Sequence, residues 1–170
     1  MGGALALAVA ESKFLQSSSV TDPSGALTLN PLYALVVGVN VVGSSFALLS
    51  LGMKVGQARK KYDVPLPKMY AEGDSKEACM FNCVQRGHQQ ALETYTTFVA
   101  CSVIGGLRHP ATTALLGLVY IIARNKWAEG YATGDPANRY SSSWSKFVWH
   151  SLLGVAALSV SAGLGIAKLA

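Results

Sequence analysis

The chain has 170 residues, 51% of them hydrophobic and only 14% charged, with 14 Lys+Arg against 9 Asp+Glu for a net charge of +5. The length suits one domain. Soluble domains carry about 25% charged residues, so this composition excludes a disordered chain, a disulfide scaffold and a coiled coil, and points to an integral membrane protein.

Residues 1–30 read as an N-terminal tail on the non-cytosolic side. Ala4 to Ala10 is apolar, but it is too short for a signal peptide and no basic residue precedes it. Ala6 stands where a myristoylation motif has Ser or Thr. From Leu32 to Met53 the chain carries no charge, and Lys54 ends the run. A hydrocarbon core about 30 Å thick takes about 20 such residues, so a span is expected over 32–56. A polar loop with two prolines follows. The next apolar stretch, around Ala91 to Leu107, reaches spanning length only if its helix starts near Cys79, which gives 79–107. Arg108-His109-Pro110 is a tight turn, because proline disfavours helix in the residue before it. The third span, 111–131, requires the helix to continue past Arg124 through Trp127 and Tyr131. After a Gly/Pro/Asn/Ser loop, 147–167 is the fourth. Residues 31–170 thus read as an all-α integral membrane four-helix bundle.

The basic residues set the orientation. The first and third connections with their flanks hold 11 of the 14 Lys and Arg, and the opposite side holds Lys13, Arg108 and Lys168. Both termini should therefore face away from the cytosol. The positive charge is accounted for by topology, and with no basic groove interleaved with aromatic residues, nucleic acid is not an expected partner.

Polar groups inside a span are expensive and need a reason. At 100° per residue, Asn82, Arg86, Gln89, Gln90, Glu93 and Thr97 fall on one stripe of the second helix, with His88 nearly opposite. Tyr120, Arg124, Trp127 and Tyr131 share a face of the third. One reading is structural, with Arg86 and Arg124 snorkelling to headgroups. The other is a polar ligand site. Seven residues of helix rise separate Arg86 from Glu93 by about 10 Å, so a direct pair is not expected and each should have another partner. A ligand for such a surface would carry two carboxylates and an ammonium. Glutathione fits, although other peptide-like molecules would too. Cys79, Cys83 and Cys101 lack a further ligand at metal-binding spacing and read as packing residues, so no metal is expected. His109 and His150 read as turn and interface residues.

The segment Phe81-Asn82-Cys83-Val84-Gln85-Arg86-Gly87-His88-Gln89-Gln90-Ala91-Leu92-Glu93 resembles the membrane-associated proteins in eicosanoid and glutathione metabolism. So do Ala58-Arg59-Lys60-Lys61-Tyr62, Gly106-Leu107-Arg108-His109-Pro110 and Gly130-Tyr131-Ala132-Thr133-Gly134-Asp135-Pro136 followed by Arg139. They occur in the family's order and at its spacing. The resemblance implies a homotrimer that binds glutathione, as co-substrate, in cytosol-side clefts between subunits. It implies glutathione contacts at Arg59, Lys60, Arg86, His88, Gln90, Glu93, Arg124, Trp127 and Tyr131, and a catalytic Arg139 that stabilises the thiolate. The second substrate would be a lipophilic electrophile or a lipid hydroperoxide in the membrane lipid. The implied membrane is the endoplasmic reticulum, with the outer mitochondrial membrane as the alternative. Gln90 replaces the usual Asn, Thr94 stands where some relatives have Tyr, and Trp127 also replaces a Tyr. A non-catalytic lipid-binding or scaffold member of the family is the alternative function.

Overall fold

The computed structural model describes residues 29–167 together with residues 3, 6, 9, 10 and 11. The rest of the expected tail and residues 168–170 lie outside the described residues. Among the described residues there are helices and turns and no strand.

Helix α1 runs over Tyr33–Lys61. The Asn30 side chain accepts the Leu32 N–H at 2.9 Å at its start. Its first part is a π-helical stretch, Val36–Gly43, and Ser44–Lys61 is regular α-helix. It stops in a Schellman-type turn, in which the Val64 N–H reaches the Arg59 carbonyl at 3.0 Å. Asp63 takes the left-handed conformation (φ 50°) that this closure needs. Helix α2, Lys76–Gly106, is capped by Ser75, whose hydroxyl accepts the Ala78 N–H at 3.1 Å. Helix α3, Pro110–Tyr131, begins with proline at the position where a missing N–H costs nothing. Its next two N–H groups go to the Glu11 carboxylate, from Ala111 at 2.6 Å and Thr112 at 3.0 Å, and the Thr112 hydroxyl joins them. Helix α4 is Phe147–Ala167.

Helices α1 and α4 are long and apolar enough to cross a membrane. Both carry large apolar side chains turned outward, among them Phe46, Leu49, Leu153, Val160 and Leu164. Water would penalise that surface and lipid would not.

The chain divides into two compact units. One comprises the segment ending at Gly43, Thr97–Val119 and the segment from Trp149. Its centre is Asn40, fully buried in the π-helical stretch. Its amide donates to the Ser102 hydroxyl and to the Thr113 carbonyl, both at 2.9 Å. A buried amide of this kind ties helices together where apolar contact alone gives little net attraction. Gly117 makes room for it, since a Cβ there would overlap the Asn40 amide. His109 is buried in the turn before α3 and its Nε2 bonds the Ser161 hydroxyl at 3.0 Å. Burial pushes its pKa below the ordinary histidine value. The Glu11 carboxylate opposes that shift and Arg108 adds to it.

The other unit comprises Ser44–Thr96 and Tyr120–Val148. Two apolar clusters hold it together. Val55, Ala58, Val64 and Phe81 form one, and Leu51, Ala91 and Ala128 form the other. The alanines let helix backbones approach closely. The candidate glutathione contacts and Arg139 all lie in this unit, whereas Thr97 of the α2 stripe falls in the other.

Gly117→Ala should lower thermal stability in detergent by about 1–3 kcal/mol through overpacking against Asn40. Gly163→Ala, whose new Cβ meets nothing within 4 Å, should leave the melting temperature unchanged. Equal effects of the two substitutions would refute the packing account.

Candidate functional site

Arg86 and Glu93 on α2 form a direct, two-pronged ion pair, Nη1 to Oε1 at 2.6 Å and Nη2 to Oε2 at 3.3 Å. This corrects the expectation that seven residues of rise keep them apart. Two helical turns put the residues on one face, and the long Arg86 side chain extends along the helix to meet Glu93. Both groups stay accessible, with 40% and 45% of their side-chain surface exposed.

Arg124 on α3 does not behave as an interface residue. It is only 3% exposed, so it does not snorkel. Its guanidinium donates to the Gln90 side-chain carbonyl, to the Thr94 hydroxyl at 2.9 Å and to the Tyr120 hydroxyl at 3.4 Å. It also lies over the Tyr120 and Trp127 rings, 5.2 and 5.7 Å from their centroids. Each of these partners is neutral. Its Nε has no hydrogen-bond partner among the described residues, and neither does the buried indole N–H of Trp127. Burying a charge costs several kcal/mol unless it is matched. Here three neutral acceptors and two aromatic faces share that work. Thr94 is thus engaged by Arg124. The pattern gave little warning of this contact, beyond Thr94 standing one helical turn after Gln90.

The expected stripe on α2 therefore divides by role. Gln90 turns inward to Arg124. Arg86 and Glu93 face outward together. Asn82 instead clamps the preceding loop, accepting the Ala71 N–H at 2.8 Å and donating to the Ala71 carbonyl at 3.0 Å. Arg59 does similar work. Its guanidinium donates to the Val64 carbonyl at 3.1 Å and the Lys68 carbonyl at 2.7 Å, and sits 5.1 Å from the Phe81 ring centroid. Lys60 is exposed. His88 lies against α1, where a Cβ on Gly52 would come 3.5 Å from its Nε2, so it does not join the Arg86–Glu93 face.

Trp127 packs on Tyr131, ring centroids 4.8 Å apart. Just beyond, the chain folds back tightly. A Cβ on Gly130 would overlap the Asn138 carbonyl oxygen, so only glycine admits this approach. Asp135 caps the short 3-10 turn Pro136–Tyr140 by accepting the Ala137 N–H at 2.8 Å. The Asn138 amide donates to the Thr133 hydroxyl at 3.0 Å. This turn carries Arg139, whose guanidinium donates to the Pro136 carbonyl at 2.6 Å and lies 5.1 Å from the Tyr140 ring centroid. The Gly130-to-Pro136 motif is thus a mount that holds an arginine beside the end of α3.

The MAPEG family model matches residues 37–163. The chain belongs to the MAPEG family. The match encloses every candidate residue from Arg59 to Arg139. MAPEG proteins include glutathione transferases and related enzymes, and membership is compatible with glutathione-dependent transfer, peroxide reduction or eicosanoid metabolism. Together with the apolar helices α1 and α4, it makes this chain an integral membrane protein.

Removing an acceptor from a buried charge costs about 1.5–3 kcal/mol. Gln90→Leu should destabilise the detergent-solubilised protein by that amount. The same substitution in an Arg124→Met background should cost much less, because the charge is gone. Additive effects across this double-mutant cycle would contradict the coupling.

Proposed function

We propose that this MAPEG protein is a membrane glutathione transferase with glutathione peroxidase activity, similar to microsomal glutathione S-transferase 3. The observation that carries the reading is the accessible Arg86–Glu93 pair set one helical turn from Gln90, which the buried Arg124 holds in place. Glutathione has carboxylates and an ammonium. A preformed guanidinium–carboxylate pair can exchange partners with such a zwitterion, so that Arg86 takes a carboxylate and Glu93 the ammonium. Neither charge is then left unmatched at any stage.

In this reading Arg59, Lys60, His88, Gln90, Arg124, Trp127 and Tyr131 complete or support the cleft, with a neighbouring subunit of a homotrimer closing it. Arg139 acts on the thiol. A free thiol has a pKa of about 8.5, so little thiolate exists near neutrality. A guanidinium beside the sulfur stabilises the anion, and each tenfold gain in thiolate needs about 1.4 kcal/mol. Arginine suits the role because it stays protonated where lysine would not. The thiolate then attacks an electrophilic carbon, displacing a leaving group or opening a strained ring to give a conjugate, or it attacks a hydroperoxide oxygen, breaking the O–O bond to give an alcohol and a glutathione sulfenic acid that a second glutathione converts to the disulfide and water. The membrane concentrates the lipophilic partner, and the cleft holds the two together. The endoplasmic reticulum is the proposed membrane.

A non-catalytic lipid-binding role is the second reading. It is favoured by Thr94 being engaged by Arg124 and by Arg139 bonding its own turn.

The test is turnover of purified protein in detergent with glutathione, using a chloronitroaromatic electrophile and an organic hydroperoxide. Arg86→Ala should raise the glutathione KM about tenfold, the loss of one charged hydrogen bond. Arg139→Ala should instead lower kcat by about tenfold, the loss of one pKa unit of thiolate stabilisation. Absent or glutathione-independent turnover by well-folded protein would overturn the enzyme reading.

A further inference from the structure

Between Arg139 and Lys146 lies a run of serines that the glutathione reading leaves unused, Ser141-Ser142-Ser143-Trp144-Ser145. The four hydroxyls differ. Ser145 is buried. Ser142 is half-buried, and its hydroxyl oxygen accepts the Trp144 N–H at 3.3 Å. Ser141 and Ser143 are exposed, and their hydroxyls make no hydrogen bond among the described residues. The backbone that carries them is irregular. The 3-10 turn ends at Tyr140, and regular helix resumes only at Phe147. An exposed segment of this kind can be opened by an enzyme without unfolding a helix.

The charges around this run have one sign. From Pro136 to Ala170 the sequence holds no Asp or Glu. Arg139 has no carboxylate within ion-pairing distance among the described residues. Its guanidinium donates to the Pro136 carbonyl and lies on the Tyr140 ring. A guanidinium has five N–H donors, so most of them remain for an anion. Lys146 adds a second cation at the far end of the run, 5.9 Å from the Phe147 ring centroid. The segment belongs to the third connection, on the side where basic residues concentrate. That is the cytosolic side, where nucleoside triphosphates and kinases are found.

We propose that Ser141 and Ser143 are phosphorylation sites for a kinase that selects basic, acid-free segments, and that the phosphate takes Arg139 as its partner. In the modification the serine Oγ bonds to the γ-phosphorus of a nucleoside triphosphate. The P–O bond to the diphosphate breaks, the diphosphate leaves, and the hydroxyl proton passes to the kinase. The product carries a charge of about −1.5 to −2 and three acceptor oxygens. Ser141 stands two residues after Arg139 and Ser143 four residues after it, within reach of the long arginine side chain. The phosphate and guanidinium then form charge-assisted hydrogen bonds. The consequence for activity rests on the reading in which Arg139 stabilises the glutathione thiolate. A guanidinium held by a phosphate no longer faces the sulfur, and the added negative charge disfavours a thiolate beside it. Phosphorylation therefore turns the site down without touching the Arg86–Glu93 face.

The experiment uses the full chain in detergent, with folding of each variant checked by circular dichroism. Incubation with Mg-ATP and the catalytic subunit of a cyclic-AMP-dependent protein kinase, a basophilic enzyme, should place phosphate on Ser141 or Ser143, mapped by peptide mass spectrometry. The double substitution Ser141→Ala with Ser143→Ala should abolish it. Pairing is read without turnover. Protein with phosphoserine encoded in place of Ser141 is titrated by phosphorus NMR, where free phosphoserine has a second pKa of about 6. That midpoint should lie about half a unit lower with Arg139 present than in Arg139→Gln, the worth of an exposed ion pair. The encoded phosphoserine should also lower kcat with glutathione at least fivefold and leave the glutathione KM within twofold. Phosphate found on neither serine would overturn the proposal. So would equal midpoints with and without Arg139, or unchanged kcat in an active enzyme. Absent turnover in the unmodified protein sinks the glutathione reading alone, because the mapping and the titration still decide the site.

Discussion

A guanidinium withdrawn from water must be given acceptors, and in one half of this protein that demand organises everything nearby. Arg124 is only 3% exposed and draws on Gln90, Thr94, Tyr120 and two aromatic rings. Those groups come from α2 and α3, so matching the charge fixes the register of one helix against the other. It also fixes which way Gln90 points. With Gln90 turned inward, its neighbours one turn away on either side, Arg86 and Glu93, remain on the accessible face, where they pair with each other. The same arginine thus supports a buried network and presents an exposed one.

Close approach is the second constraint. Helices in lipid gain little from apolar contact alone and rely on packing and buried hydrogen bonds. Here Gly117 admits the Asn40 amide in one unit, and Gly130 admits the Asn138 carbonyl in the other. The second contact carries a functional consequence, because it mounts the turn that bears Arg139.

Much of this was legible in the residues. The apolar run ending at Lys54 and the apolar stretch from Phe147 announce membrane helices, and the Arg86-to-Glu93 motif announces the family. Less was legible where a side chain's reach or a second helix decides the outcome. Helical rise alone argues against an Arg86–Glu93 pair, and the reach of the Arg86 side chain makes one. A helical wheel places Arg124 on an aromatic face, but whether that face meets water, lipid or α2 depends on packing that no single helix encodes. Arg59 reads as a basic residue after a span and proves to hold loop carbonyls. The π-helical stretch at Val36–Gly43 has no marker except a lone Asn, and the Glu11 cap on α3 joins residues about a hundred positions apart.

The central claim is that the Arg86–Glu93 face, held by the Arg124–Gln90 network, receives glutathione. The most direct measurement is a thermal-shift titration of the detergent-solubilised protein with glutathione, beside Arg86→Ala. A ligand that binds only the folded state stabilises it in proportion to the logarithm of its concentration above the dissociation constant. The account predicts a rising melting temperature with millimolar glutathione in the wild type, and a response displaced to higher concentration in Arg86→Ala. No shift in the wild type, or the same shift in both proteins, would contradict it.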